Sequence, residues 1–334
     1  MATVEGIALS LVILGSCFYF IAFVISIAGN CFVLSLCYRR RASSWKLFIA
    51  NLAMADLVFA LLSVLNYISF YSSWVGGEVL CKLRSYLIEA CYTTTIMTLV
   101  VISHDRIRAV ADPFNARFIA LSWASKKVVI LWVISLVVNA PLLYAYGIFT
   151  DKKWDKPVCS NKPFGELTRQ IYYGIHSICF FIIPLLYMLY AQSSIFRALR
   201  SHEREFLSRN SFHALSTYRH RKVAKTLIIL TLAFVSCWSP FVIFRTLLYF
   251  HVSSEWHVWR GSQLLILLNT ALDPILYGIY GENFSLKQSL RRCVKCFSFK
   301  KQSSKVGIPN TTRIPEKKAN HRENNRRRIA IKDL

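Results

Sequence analysis

Acidic residues are scarce: the 334-residue chain has 17 Asp and Glu against 41 Lys and Arg, a formal net charge of +24. Glycine and proline are also few, at 12 and 9, which excludes a collagen-like chain, and 14% aromatic residues exclude a disordered one. Ten cysteines spread thinly over this length do not make a disulfide scaffold. There is no HExxH, no histidine cluster and no Ser-His-Asp set, so nothing supports a catalytic reading and the chain is not expected to be an enzyme. An internal repeat of the kind that builds transporters is missing as well.

What is abundant is apolar sequence, 54% of the chain. Stretches near 7–38, 46–72, 80–104, 127–149, 170–196, 223–250 and 261–280 can each cross a hydrocarbon core about 30 Å thick at about 1.5 Å per residue. The expected fold is therefore an all-α membrane protein, a seven-helix bundle over 7–281. A short outer N-terminus (1–6) precedes it, an amphipathic helix (282–297) follows, and a disordered basic tail (298–334) ends the chain. Glu5 stands where a signal peptide would carry basic residues, so the first helix is read as a signal anchor.

Basic loops are retained on the cytoplasmic side of a membrane. One set of connections, including the tail, carries 32 Lys and Arg and the other carries nine. This places the N-terminus outside and the C-terminus in the cytoplasm. It accounts for most of the charge without a nucleic-acid partner.

Most cysteines fall inside apolar spans and read as inert packing residues. Cys81 and Cys159 lie on the outer, oxidising side with no other partner, which pairs them in a disulfide. Closing a loop of this size contributes at most roughly 4.5 kcal/mol. Cys293 and Cys296 form a lone CxxC on a short amphipathic stripe among Lys287, Arg291, Arg292 and Lys295. A metal site would need a second pair, so an interfacial helix with lipidated cysteines is the reading.

Charge inside a bilayer is costly and marks function by default. Asp56 sits mid-span, and Asn30, Thr95, Asn269 and Asp273 fall at comparable depth if the spans alternate in direction. Such a set of oxygens suits a small hard cation, sodium first. A water-filled hydrogen-bond network without an ion is the other reading, and both stay open. Pro141, Pro184, Pro240 and Pro274 interrupt spans and can kink them, Pro240 two residues after Trp238. At the inner end of the third span, Asp105-Arg106 can pair in one state and release the arginine in another.

Gly29-Asn30, Leu52-Ala-Met-Ala-Asp56, Cys81, Asp105-Arg106, Trp132, Cys159, Pro184, Cys237-Trp238-Ser-Pro240 and Asp273-Pro-Ile-Leu-Tyr277 follow one another in order, each on its own span or loop. Together they closely resemble the rhodopsin-like G-protein-coupled receptors, over residues 7 to about 297. Trp74-Val-Gly-Gly-Glu-Val-Leu-Cys81 and the Asp-Pro-x-x-Tyr form look most like the peptide-receptor branch. The resemblance implies that a ligand from outside, a short neuropeptide, shifts Trp238, collapses the sodium site and swings the sixth helix outward. Arg106, released from Asp105 and supported by Tyr277, would then meet a heterotrimeric G protein. Ile107 and Gln192 replace tyrosines usual in the family, and His220 stands in place of an acid, so appreciable basal activity is expected.

Ile88 stands where aminergic receptors carry an acid, and Leu267 where opsins carry the retinal lysine, which disfavours both. Glu89 is expected at the pocket edge, paired either with a ligand cation or with a basic side chain of the protein. Arg84, Arg245 and Arg260 offer the opposite charge, and Tyr67, Tyr92 and Tyr249 offer aromatic walls. This mixture suits a short peptide. An anionic lipid such as a lysophospholipid is the alternative, and an ion-coupled transporter is the alternative of another class. No Asn-x-Ser/Thr sequon falls on the outer side, and Ser298, Ser303, Ser304, Thr311 and Thr312 are expected kinase sites for arrestin recruitment. The plasma membrane is the expected location, with contact between the basic tail and anionic lipid.

Overall fold

The computed structural model describes residues 2–39, 43–111, 121–151, 155–206, 214–252 and 256–280. Seven long helices run through them: α1 (Ala2–Arg39), α2 (Ser44–Tyr71), α3 (Gly77–Ala111), α4 (Leu121–Asn139), α5, α6 (Ala214–Tyr249) and α7 (Trp256–Tyr280). The fifth, α5, comprises Glu166–Ser177, a π-helical turn Ile178–Ile182 and Ile183–Phe206. Among the described residues six of these helices are long and apolar enough to cross a membrane, and α7 carries a shorter apolar stretch, Gly261–Leu276. The amphipathic helix, the tail and the Cys293 and Cys296 lipidation sites lie outside the described residues, as do the side chains of Arg260 and Tyr277.

Two boundaries differ from the sequence expectation. The first helix already begins at Ala2 rather than near residue 7. The fourth span, expected to reach 149, ends as a helix at Asn139; after Pro141 a single turn, Leu142–Ala145, leads into a strand. Proline cannot donate the next helical hydrogen bond. The chain then forms an antiparallel hairpin of β1 (Gly147–Asp151) and β2 (Lys156–Ser160), in register from Gly147 opposite Ser160 to Asp151 opposite Lys156.

The Cys81–Cys159 disulfide is formed and ties the start of α3 to β2, with Cα atoms 5.7 Å apart. Trp74 reinforces that junction: its indole Nε1 donates to Gly77 O at 2.9 Å and its backbone N–H donates to Pro157 O at 2.8 Å. Gly77 has a φ of +67°, a left-handed conformation that glycine adopts without strain. At the opposite end Ser43 caps α2, its side chain accepting from the Lys46 backbone N–H at 3.4 Å.

Helix α3 is central, in contact with α2, α4, α5, α6 and both strands, while α1 packs on α2 and α7. Its inner neighbours form one core that includes Leu52, Phe59, Tyr92, Ile96, Met188, Phe234 and Trp238. Outside, α4 presents Val129, Ile130, Val133 and Val137, all exposed. Against lipid such residues gain little by turning inward, so helix association relies on close packing and on interhelical hydrogen bonds worth about 0.6–1.7 kcal/mol each. Asn51 supplies two of these, donating to Thr98 Oγ1 at 2.9 Å and accepting from Trp132 Nε1 at 2.7 Å, which joins α2, α3 and α4. Asn30 joins α1 to α7 by donating to Thr270 O at 3.0 Å.

Between α1 and α7 the packing is close at Gly29, where a Cβ would come within 2.8 Å of Pro274 Cβ and 2.9 Å of its Cγ. Gly29→Leu should therefore force α1 and α7 apart and cost about 1–3 kcal/mol. The expected outcome is a lower thermal unfolding temperature in detergent, while Gly15→Ala, whose Cβ would meet nothing within 4 Å, serves as the neutral control. Equal melting temperatures for the two would contradict this account of the packing.

Candidate ligand-binding site

At the hairpin end of the bundle the helices enclose about 730 Å³ of space, part of it open to solvent. Of the residues proposed from sequence, Tyr67, Glu89, Tyr92 and Trp238 are on its wall. The remaining wall comes from α1, α2, α3, α6 and α7, chiefly Tyr19, Phe59, Ile88, Phe241, Ile266 and Leu267, with Ser63, Asn66 and Gln263 as neutral polar groups. Tyr19 stacks on Tyr67 at 4.1 Å and its hydroxyl shares a 2.9 Å hydrogen bond with Ser63. Trp238 lies 4.4 Å from the Tyr92 ring, 5.8 Å from Phe59 and 5.7 Å from Phe234, two residues before Pro240.

Arg84, Arg245 and Tyr249 are not on that wall, and each has a partner inside the protein. Arg245 Nη1 donates to Glu89 Oε1 at 2.5 Å, with the arginine side chain 2% exposed and the glutamate 11%. Its guanidinium lies 4.5 Å from the Tyr173 ring and 5.0 Å from Phe241, so cation–π contacts cover it. Of the two pairings open to Glu89, the structure thus shows the internal one. Tyr249 stacks on Tyr173 at 4.9 Å and accepts from Asn161 Nδ2 at 2.9 Å. Arg84 lies over Trp74 at 4.9 Å, with Nη2 donating to Ser85 Oγ at 3.0 Å beside Cys159. A buried guanidinium is retained where rings and acceptors replace water, and those partners are all on the hairpin side of the bundle.

Deeper in the bundle Asp56, Thr95, Asn269, Asp273 and Asn30 are all buried. Asp56 and Asp273 interact with one another, and Asn269 Nδ2 reaches Asp273 Oδ2 at 3.5 Å. Asp56 Oδ2, Asn30 Oδ1 and Asn269 Oδ1 find no hydrogen-bond donor. Two carboxylates and several idle oxygens in an apolar interior call for a cation, a shared proton or water. Among the described residues no three His, Cys, Asp or Glu side chains converge, so the donor set is hard oxygen, mostly neutral, and fits a small monovalent ion better than zinc.

At the other end of the bundle Asp105 accepts from Lys127 Nζ at 2.5 Å, and the Arg106 guanidinium lies 4.9 Å from the Trp45 ring. Helix α4 carries Lys127 to Asp105, a pairing that the sequence does not signal. Between α5 and α6, Gln192 Nε2 donates to Thr231 Oγ1 at 2.7 Å. The sequence reading also missed His176, buried beside Tyr92 at 5.7 Å between ring centroids and 3.3 Å from Thr93 Oγ1. A lone histidine in an apolar span gives no sequence signal of which helix it meets.

The Glu89–Arg245 pair sets a test of the wall itself. Removing one partner strands a buried charge, so Glu89→Leu or Arg245→Leu alone should each lower stability by about 3–5 kcal/mol. The Glu89→Leu/Arg245→Leu double variant should be markedly more stable than their sum predicts, read as thermal melts of the purified protein. Strictly additive losses would show that the two groups do not depend on each other.

Comparison with known proteins agrees with this geometry. A family model described as "7 transmembrane receptor (rhodopsin family)" matches residues 29–277. The QRFP-like peptide receptor of Branchiostoma floridae is 24% identical over 312 residues, covering 89% of this chain and 81% of that protein. The growth hormone secretagogue receptor type 1 of Homo sapiens is 26% identical over 284 residues, covering 78% of this chain and 76% of its own. The endothelin receptor type B of Rattus norvegicus is 27% identical over 304 residues, covering 83% and 67%. The matched span runs from the Gly29–Pro274 contact to Tyr277 and includes the Asp56 cluster, Asp105-Arg106 and the Trp238–Pro240 segment. The chain belongs to the rhodopsin family of seven-transmembrane receptors, a multi-pass membrane receptor and not an enzyme.

Proposed function

We propose that this receptor resides in the plasma membrane with its N-terminus outside and its C-terminus in the cytoplasm, and that it carries the binding of an extracellular peptide to a heterotrimeric G protein. The charge asymmetry of the loops supports the orientation. Three of its relatives are named as peptide, growth hormone secretagogue and endothelin receptors, which supports the ligand class. The observation that carries the reading is the position of Trp238: it borders the cavity and packs on Phe59 and Phe234 within the core that continues toward Arg106.

A group entering the cavity meets Trp238 and Tyr92 together. Displacing the indole disturbs Phe234 one turn below, on the same helix that Pro240 interrupts. Outward movement of α6 then has to break the Gln192–Thr231 hydrogen bond, and exposure of Arg106 has to free it from Trp45. A ligand drives this only by preferring the second arrangement, by about 5.5 kcal/mol for a shift from 1:99 to 99:1. The anionic-lipid alternative loses support, because Arg84 and Arg245 are held by internal partners away from the cavity wall.

Nucleotide exchange on purified Gα subunits, driven by the receptor in vesicles and scanned with a peptide panel, tests this reading. Exchange should rise with one peptide class and fall to background in Arg106→Ala with surface expression retained. Ion flux without any G protein, and no exchange, would favour a transporter.

A sodium ion among Asp56, Asp273, Asn269 and Thr95 would stabilise the resting arrangement, because it offsets two carboxylates there. Replacing potassium by sodium at constant ionic strength should lower basal exchange and raise the melting temperature, and Asp56→Asn should abolish both effects. A sodium response unchanged in that variant would assign the cluster to water instead.

A further inference from the structure

The irregular turn of α5 has a cause in its sequence. In a regular helix the Phe180 carbonyl accepts from the backbone N–H four residues on, and that residue is Pro184, which has none. The chain forms the π-helical turn Ile178–Ile182, in which the Ile183 N–H donates to Ile178 O, five residues back instead of four. The Phe180 carbonyl takes a donor from another helix: the Tyr92 hydroxyl of α3 reaches it at 3.0 Å. One turn earlier on α5, His176 Nε2 lies 3.3 Å from Thr93 Oγ1, and its ring lies 5.1 Å from that of Phe180. Two consecutive residues of α3, Tyr92 and Thr93, thus hold α5 at its π turn and just before it.

A π turn holds one residue more than an α-helical turn, so losing it rotates the helix beyond it by about 100°. Beyond it, α5 is fixed to two helices. Tyr187 shares a 2.7 Å hydrogen bond with His104 of α3, the residue before Asp105-Arg106, and Gln192 donates to Thr231 of α6 at 2.7 Å. Both contacts need their side chains on the present faces, and neither survives such a rotation. At the other end, Tyr92 borders the cavity together with Trp238, their ring centroids 4.4 Å apart. One side chain therefore meets the cavity with its ring and α5 with its hydroxyl.

Resting on the reading of this cavity as the ligand site, we infer that Tyr92 is a positioning residue that latches α5 in its present register, its hydroxyl standing in for the N–H that Pro184 lacks. A ligand that displaces the Tyr92 ring releases α5 as well as disturbing Trp238. The cavity then has two outputs: α6 through the indole, and α5 through the tyrosine hydroxyl.

Amide hydrogen–deuterium exchange of the purified full chain in lipid nanodiscs, without ligand or G protein, reads the latch apart from signalling. Tyr92→Phe removes only the hydroxyl, and exchange over 178–188 should rise about three- to fifteenfold, the range for one interhelical hydrogen bond. Tyr19→Phe, which removes the wall hydroxyl bonded to Ser63, should leave that segment within about twofold of the unaltered protein. Pro184→Ala restores the missing N–H, so Tyr92→Phe made on that background should change exchange by less than about twofold, a rescue that general loosening of the bundle does not produce. Unchanged exchange over 178–188 in Tyr92→Phe, an equal rise in Tyr19→Phe, or the full effect of Tyr92→Phe on the Pro184→Ala background each overturns the inference. Should Pro184→Ala fail to fold, the two hydroxyl deletions still decide. Basal nucleotide exchange on purified Gα should rise at least about threefold in Tyr92→Phe, as expected when a resting arrangement loses one such bond. A loosened α5 with no such rise, in a receptor whose exchange still falls in Arg106→Ala, overturns the output role. Absence of nucleotide exchange in every variant would count against the receptor reading alone, since the latch is read without a G protein.

Discussion

Inside a bilayer no water is present to satisfy a polar group, so every backbone amide and every buried side chain must find its partner within the protein. Seven helices meet the backbone requirement internally. Their side chains meet it pairwise: Asn51 with Thr98 and Trp132, Asn30 with Thr270, Tyr19 with Ser63, Glu89 with Arg245. These bonds fix which helix faces which, a choice that apolar residues surrounded by lipid would leave loosely specified.

The same constraint separates structure from function among the polar residues. Where partners are complete, as around Asn51, the group holds helices together. Where they are incomplete among the described residues, as at Asp56 Oδ2 and Asn269 Oδ1, buried oxygens stand without a donor. The incomplete cluster lies on α2 and α7 near Trp238, between the cavity and the Arg106 end. Under the proposed sodium reading, a change in what fills it and a change in helix packing would be two descriptions of one equilibrium.

The hairpin end follows from a different economy. The disulfide and Trp74 tie β2 to α3, and Arg84 packs against both. Together with the Tyr173–Tyr249–Arg245 stack, they fill the space under the hairpin with aromatic rings and buried cations. The cavity lies beside this filling, with Arg84, Arg245 and Tyr249 off its wall.

Much of this was legible in the sequence. Seven apolar stretches, the loop charge asymmetry, the Cys81–Cys159 pair and the run of motifs from Gly29-Asn30 to Tyr277 specify a rhodopsin-family bundle, because span length and polar exceptions are local properties of the chain. The buried oxygens around Asp56 were legible as a level within the membrane for the same reason. Which side chains meet across helices was not. That Arg245 answers Glu89, that Lys127 answers Asp105, that Gln192 reaches Thr231 and that Arg84 turns to Trp74 depend on the rotation and tilt of helices far apart in sequence. The fourth helix stopping at Pro141 to form a hairpin was likewise hidden, since strand pairing needs a partner that the apolar run alone does not name. Sequence thus determined what must be buried and roughly how deep, and the tertiary structure alone decided who satisfies whom, because partnership is a matter of relative helix geometry.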